Sequence, residues 1–167
     1  MAILEVYLIR HGVAHERGKD WPDDSKRPLT PEGITRLRKA ARGLNAIGVG
    51  FDQIVTSPLV RTRQTADVFS EELKSKPPIV TSDALAPAGS SASVIQEIAK
   101  HVRKARVAFV GHEPNLGELA ALLIGSRVPL EFKKGGIARI DFDMLPPKGA
   151  GILRWFLTPK MLRALGG

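Results

Sequence analysis

Apolar and polar positions follow two different periods along this chain, and the changes of period mark out its elements. Val6-Tyr7-Leu8-Ile9 is an unbroken apolar run, the pattern of a parallel strand buried on both faces, and it stops abruptly at Arg10-His11-Gly12. Val13 to Arg27 has neither period and predicts a loop. Thr30-Pro31-Glu32 then opens a helix, with Thr30 as N-cap, Pro31 at the first helical position and Glu32 facing the positive end of the dipole. Ile34, Leu37, Ala41, Leu44 and Ile47 recur at helical spacing and leave Arg36, Arg38, Lys39 and Arg42 to solvent. Gly48-Val49-Gly50 ends that helix.

Phe51 to Ser57 is a second short strand, stopped by Pro58. The following helix carries Arg61 in its first turn and an inner stripe of Ala66, Phe69 and Leu73, and Arg63 points elsewhere on it. Lys76-Pro77-Pro78 breaks the pattern, Ile79-Val80 is a minor strand and Leu85 to Gly89 a turn. Val94, Ile95, Ile98 and Val102 mark a third helix with His101 on its surface. Arg106 to Gly111 repeats the opening design: an apolar strand, a glycine, His112 and Glu113, then a helix with Leu116, Leu119, Ala120 and Leu123 inside. Gly136 to Met144 alternates, Pro146 to Gly151 turns, and Ile152 to Leu157 returns as the second strand of an edge hairpin before a short helix from Pro159 to Leu165. The class is α/β, with a mostly parallel central sheet and an antiparallel hairpin at its edge.

With 167 residues, 43% of them hydrophobic, the chain holds enough for one core and too little for two, so one domain over 1–167 is expected. It contains no cysteine, which excludes disulfides, thiolate catalysis and Cys-based metal sites and agrees with a reducing cytoplasm. No stretch reaches the ~20 apolar residues of a membrane span, and no membrane association is expected. A formal charge of +8 favours anionic partners. One tyrosine and two tryptophans, with no stacking motif of aromatic and basic residues interleaved, argue against nucleic acid.

The chemistry gathers at strand ends, where open α/β sheets bind ligands. Arg10 and Arg61 offer planar forks suited to phosphate, His11 and His112 offer ring nitrogens for attack or proton transfer, and Gly12 lets the backbone turn without a Cβ. His15 is either a further ligand contact or a solvated loop residue. The motifs Arg10-His11-Gly12, Ser57-Pro58-Leu59-Val60-Arg61-Thr62-Arg63-Gln64-Thr65-Ala66 and Gly111-His112-Glu113, in this order, resemble those of the histidine phosphatase superfamily, which includes the phosphoglycerate mutases. Arg27-Pro28-Leu29-Thr30-Pro31-Glu32-Gly33, the short length and Gly135-Gly136-Ile137-Ala138 resemble its SixA-type phosphohistidine phosphatases.

The resemblance implies a three-layer α/β/α sandwich, His11 as a nucleophile that becomes transiently phosphorylated, and Arg10, Arg61 and His112 around the phosphoryl group. Arg27 would add a phosphate contact typical of the SixA branch, and Gly12 and Glu113 border the same site. In-line transfer spreads charge over three equatorial oxygens, which fixed cations stabilise without a metal or other cofactor. Neighbouring arginines should keep His11 neutral, and His112 gains from a proton beside a phosphate dianion. Many relatives carry an acidic proton donor after the third strand, whereas Leu85-Ala86-Pro87-Ala88-Gly89 has no carboxylate. That favours a leaving group as easily protonated as imidazole, with Glu113 either a donor or a helix-start cap. The expected substrate is a phosphorylated protein carrying phosphohistidine, or a small phosphorylated molecule. A small-molecule phosphomonoesterase, or a non-enzymatic binder of RNA or phosphoproteins, is the alternative.

Overall fold

The computed structural model of the protein describes residues 4–143 and 150–167. Its centre is a six-stranded sheet of β1 (Leu4–Arg10), β2 (Gln53–Thr56), β3 (Ile79–Thr81), β4 (Arg106–Gly111), β5 (Ile137–Phe142) and β6 (Ile152–Leu157), in the order β3-β2-β4-β1-β5-β6. The pairs β2–β3, β2–β4 and β1–β4 are parallel, and β5 runs antiparallel to both β1 and β6. The described residues also form five α-helices: α1 (Pro31–Ala46), α2 (Val60–Glu72), α3 (Ser91–Lys100) and α4 (Asn115–Ile124) between strands, and α5 (Pro159–Leu165) after β6.

Strand alternation sorts the core into two layers. Tyr7 and Ile9 of β1 face α1, α2 and α5, packing with Leu37, Leu44, Phe51, Phe69 and Leu162. Val6 and Leu8 face α3 and α4, packing with Val94, Ile98, Phe109, Leu116 and Leu123. This is the α/β/α sandwich, and it explains why β1 reads as a continuous apolar run: both faces are covered. Thr30 caps α1 as expected, its hydroxyl accepting from the Gly33 amide at 2.9 Å.

Several boundaries differ from the sequence reading. Ile47 caps α1 and is 44% exposed, outside the buried stripe, and Val102 lies past the end of α3. His101 caps α3 half-buried, 3.3 Å from Glu97, because its ring folds back over the preceding turn. The alternation of β5 predicts one polar face, yet Asp141 is buried on that strand, accepting from Arg139 Nε at 2.8 Å and from Arg154 Nε on β6 at 2.9 Å. The charged pairs replace water there. Met144 and the Pro146-Pro147-Lys148-Gly149 part of the expected turn lie outside the described residues.

Candidate active site

Parallel register places the two histidines side by side. Arg10 of β1 pairs with Gly111 of β4, so His11 and His112 are the next residues on adjacent strands, with ring centroids 5.4 Å apart. The chain leaves β1 toward the α1 layer and leaves β4 toward the α4 layer, which opens a crevice between these two strand ends. Thr56 of β2 pairs with Val110 of β4, so Ser57 arrives beside His112, and their Oγ and Nε2 atoms are 2.8 Å apart.

His11 is 5% exposed, and its Nδ1 stands 2.7 Å from the carbonyl oxygen of Gly12. A carbonyl only accepts, so Nδ1 carries the hydrogen and Nε2 keeps the lone pair. Gly12 is fixed in turn, its amide donating to Thr65 Oγ1 at 3.1 Å one helical turn beyond Arg61. Gly12 has no left-handed backbone; a Cβ on it would lie 2.7 Å from Leu37 Cδ1. The reason for glycine is close packing on α1, in place of the turn read from the sequence. Its amide and carbonyl both serve hydrogen bonds within the protein, so Gly12 orients His11.

The cations are held by groups that sequence patterns do not reveal. Arg10 donates from Nη1 to the carbonyl of Phe132 at 2.7 Å. Arg61, on the first turn of α2, donates from Nη1 to the Asp24 carbonyl at 2.9 Å and from Nη2 to Asp24 Oδ2 at 3.1 Å. Arg27 donates from Nε to Asp24 Oδ1 at 3.0 Å and from Nη1 to the His15 carbonyl at 2.7 Å. Asp24 therefore ties Arg27 to Arg61. Burial raises its carboxyl, but the hydrogen bonds and charges of Arg27 and Arg61 outweigh that and hold it below the usual carboxylate value.

Three buried side-chain nitrogens have no hydrogen-bond partner among the described residues: Arg10 Nε, Arg61 Nε and His112 Nδ1. All three belong to this cluster. Buried polar groups are ordinarily satisfied, so three orphans in one site mark a place that receives a ligand with several acceptors.

A histidine-centred cluster of this make-up agrees with the comparisons to known proteins. The family model described as histidine phosphatase superfamily (branch 1) matches residues 6–89, which hold Arg10, His11, Gly12, Arg27 and Arg61. The chain belongs to the histidine phosphatase superfamily. It is 28% identical to the phosphohistidine phosphatase SixA of Escherichia coli K12 over 97% of this chain and all of that one. An uncharacterised protein of Picosynechococcus is 37% identical over 80% of this chain and 82% of its own length. Among solved structures, protein histidine phosphatase SixA complexed with tungstate superposes with a TM-score of 0.80, at 27% identity over 95% of this chain and 99% of that one.

Electrostatics set the protonation of this cluster. Burial, ahead of the charges of Arg61, Arg10 and Arg27, pushes His11 down to about 4, against the opposing effect of its hydrogen bond to Gly12. Burial, then Arg61 and His11, push His112 down to about 3, against Asp24. The arginines work in the direction the sequence suggested, but desolvation is the larger cause. Both rings should therefore stay neutral in NMR titrations down to about pH 5, with His11 as the Nδ1–H tautomer; a His11 midpoint above 6 would contradict this. Each ring binds its proton more readily in the unfolded chain, near 6.5, so stability should be complete above that pH and decline as pH falls toward 4.

Glu113 stands at the start of α4. Its Oε1 accepts from the Gly117 amide of α4 at 2.7 Å and its Oε2 from the Phe132 amide at 3.3 Å. It therefore caps α4 and positions the residue whose carbonyl holds Arg10, in line with the helix-start alternative. His15 stands 5.9 Å from Trp21, ring to ring, and its carbonyl steadies Arg27. Sequence reasoning missed Asp24, Ser57, Thr65 and the Phe132 carbonyl. Ser57 and Thr65 lie inside a motif already singled out; Asp24 and Phe132 have no local signal.

Asp24→Asn tests the clamp. With the carboxylate gone, Arg27 and Arg61 lose their shared counterion, so inorganic phosphate should inhibit at several-fold lower concentration while kcat falls about tenfold from lost alignment. Unchanged kcat and unchanged phosphate inhibition would show that the arginines are held without it.

Proposed function

We propose that the protein is a phosphohistidine phosphatase that works through a covalent phosphohistidine intermediate on His11. The observation that carries this reading is the tautomer fixed by the Gly12 carbonyl, which leaves His11 Nε2 unprotonated beside Arg10, Arg61 and His112. In the first displacement, Nε2 attacks phosphorus, its bond to phosphorus forms, and the bond to the leaving nitrogen breaks; that nitrogen takes up a proton from water. In the second, water attacks the phosphoryl group of His11, the N–P bond breaks, and phosphate leaves with the ring restored. Arg10 and Arg61 face the equatorial oxygens, with Arg27 linked to Arg61 through Asp24, and supply the electrostatic stabilisation that in-line transfer demands.

The named activity of the E. coli relative and the tungstate complex of the superposable SixA structure both support this assignment. We read 1–167 as one catalytic domain, since both core layers are built on a single sheet, acting in the cytoplasm on a phosphorylated protein or small phosphoramidate. The direct test is release of inorganic phosphate from free phosphohistidine and from a histidine-phosphorylated protein, in excess EDTA. Turnover is expected to persist, because guanidinium groups meet the phosphoryl oxygens and no group of three His, Asp or Glu side chains among the described residues could hold a metal. Activity lost on chelation and restored by zinc would overturn the mechanism.

A further inference from the structure

An open groove of about 310 Å³ lies between α1, α5 and the segment before β5. Its floor is apolar, with Val13 and Pro159 partly exposed above the buried Leu37 and Ala40, and Gly12, the residue that orients the nucleophile, lines it too. Its rim is cationic: Arg36 from α1, Lys133 and Lys134 ahead of β5, and Lys160 and Arg163 from α5. Of these five, only Arg36 has a carboxylate partner among the described residues, Glu32 at 2.6 Å. Lys39 and Arg42 continue the strip past Arg163, Arg42 standing 3.8 Å from Glu72. Nothing in the chemistry at His11 uses these charges.

Lys133, Lys134, Lys160 and Arg163, with no carboxylate partner among the described residues and set around an apolar floor, make a field complementary to an anionic, amphipathic partner. The floor has no aromatic ring for a base to stack on, which disfavours a nucleic acid strand. The volume takes a few side chains, so the contact is with one segment of a larger molecule. We propose that this groove docks an acidic segment of the phosphorylated protein substrate, its carboxylates on the rim and an apolar side chain on Val13 and Pro159. The proposal rests on the phosphohistidine phosphatase reading and gives that activity its protein selectivity. A small phosphoramidate reaches His11 without it.

The test uses the full chain and the variant Lys134→Glu, Lys160→Glu, two exposed rim residues outside the reactive cluster. A labelled glutamate-rich peptide with leucine at helical spacing should bind the wild type and bind the variant at least tenfold more weakly, with binding to wild type falling steeply with salt. kcat/KM on a histidine-phosphorylated acidic protein should drop at least tenfold in the variant, while kcat/KM on phosphoramidate stays within twofold. Hydrolysis of both substrates with peptide binding and kinetics indifferent to the charge reversal would overturn the docking proposal. Peptide binding lost on charge reversal, with neither substrate hydrolysed, would leave the docking site standing and overturn the catalytic reading.

Discussion

Replacing His11 by alanine is expected to lower kcat by about 10⁴-fold or more while the protein still folds. The size of the effect follows from both displacements passing through one atom: without Nε2 there is no acceptor for the first phosphoryl transfer and nothing for water to attack in the second. The retained fold follows from how little the ring holds together. Its one side-chain hydrogen bond runs to the neighbouring Gly12 carbonyl, and the His11 amide bonds to the Gly111 carbonyl whatever the side chain. An unchanged circular dichroism spectrum and a thermal midpoint within several degrees of wild type should accompany the loss. Residual activity within tenfold of wild type would remove His11 as nucleophile.

The second large effect is on the leaving group. The protein should prefer phosphorus bound to nitrogen over phosphorus bound to oxygen by about 10²–10⁴ in kcat/KM, the usual contribution of a positioned general acid that an alkoxide requires and an imidazole largely does not. Leu85 and Gly89 line a small crevice together with His112, and no carboxylate stands in that segment. Of the two carboxylates bound into the site, Asp24 is held ionised by Arg27 and Arg61, and Glu113 accepts from two backbone amides. Neither is set up to give away a proton. The comparison is free phosphohistidine or a phosphohistidine peptide against serine phosphate and 3-phosphoglycerate at equal pH and salt. Equal or higher efficiency on the esters would contradict the preference and favour a phosphomonoesterase.

The strand ends were legible in the sequence because burial on both faces writes itself as a continuous apolar run, and a polar residue directly after such a run sits at the strand's carboxyl end. Arg10, His11 and His112 were found this way, and Arg61 from its place in the first turn of the helix after β2. The antiparallel partner of β1 was not, since β1 is equally apolar whichever way its neighbours run. The groups that hold the arginines were hidden by distance along the chain: Asp24 lies 37 positions from Arg61, and Phe132 lies 122 from Arg10 and acts through its backbone carbonyl, which any residue possesses. Gly12 was identified for the wrong reason, because its neighbour Leu37 is a tertiary contact. Of the groove's cations only Arg36 was read, as a solvated helix face; Lys133, Lys134, Lys160 and Arg163 are unremarkable until α1, α5 and the segment before β5 are brought together.

The covalent intermediate is the centre of this account, and it can be caught directly. Rapid quenching of the wild-type protein after mixing with phosphorus-32-labelled phosphoramidate should leave label on the protein that survives alkali, is lost in acid and maps to the peptide containing His11. The same label should be missing from His11→Ala. Turnover with no label on His11 at any quench time, or label that withstands acid, would contradict a phosphohistidine intermediate.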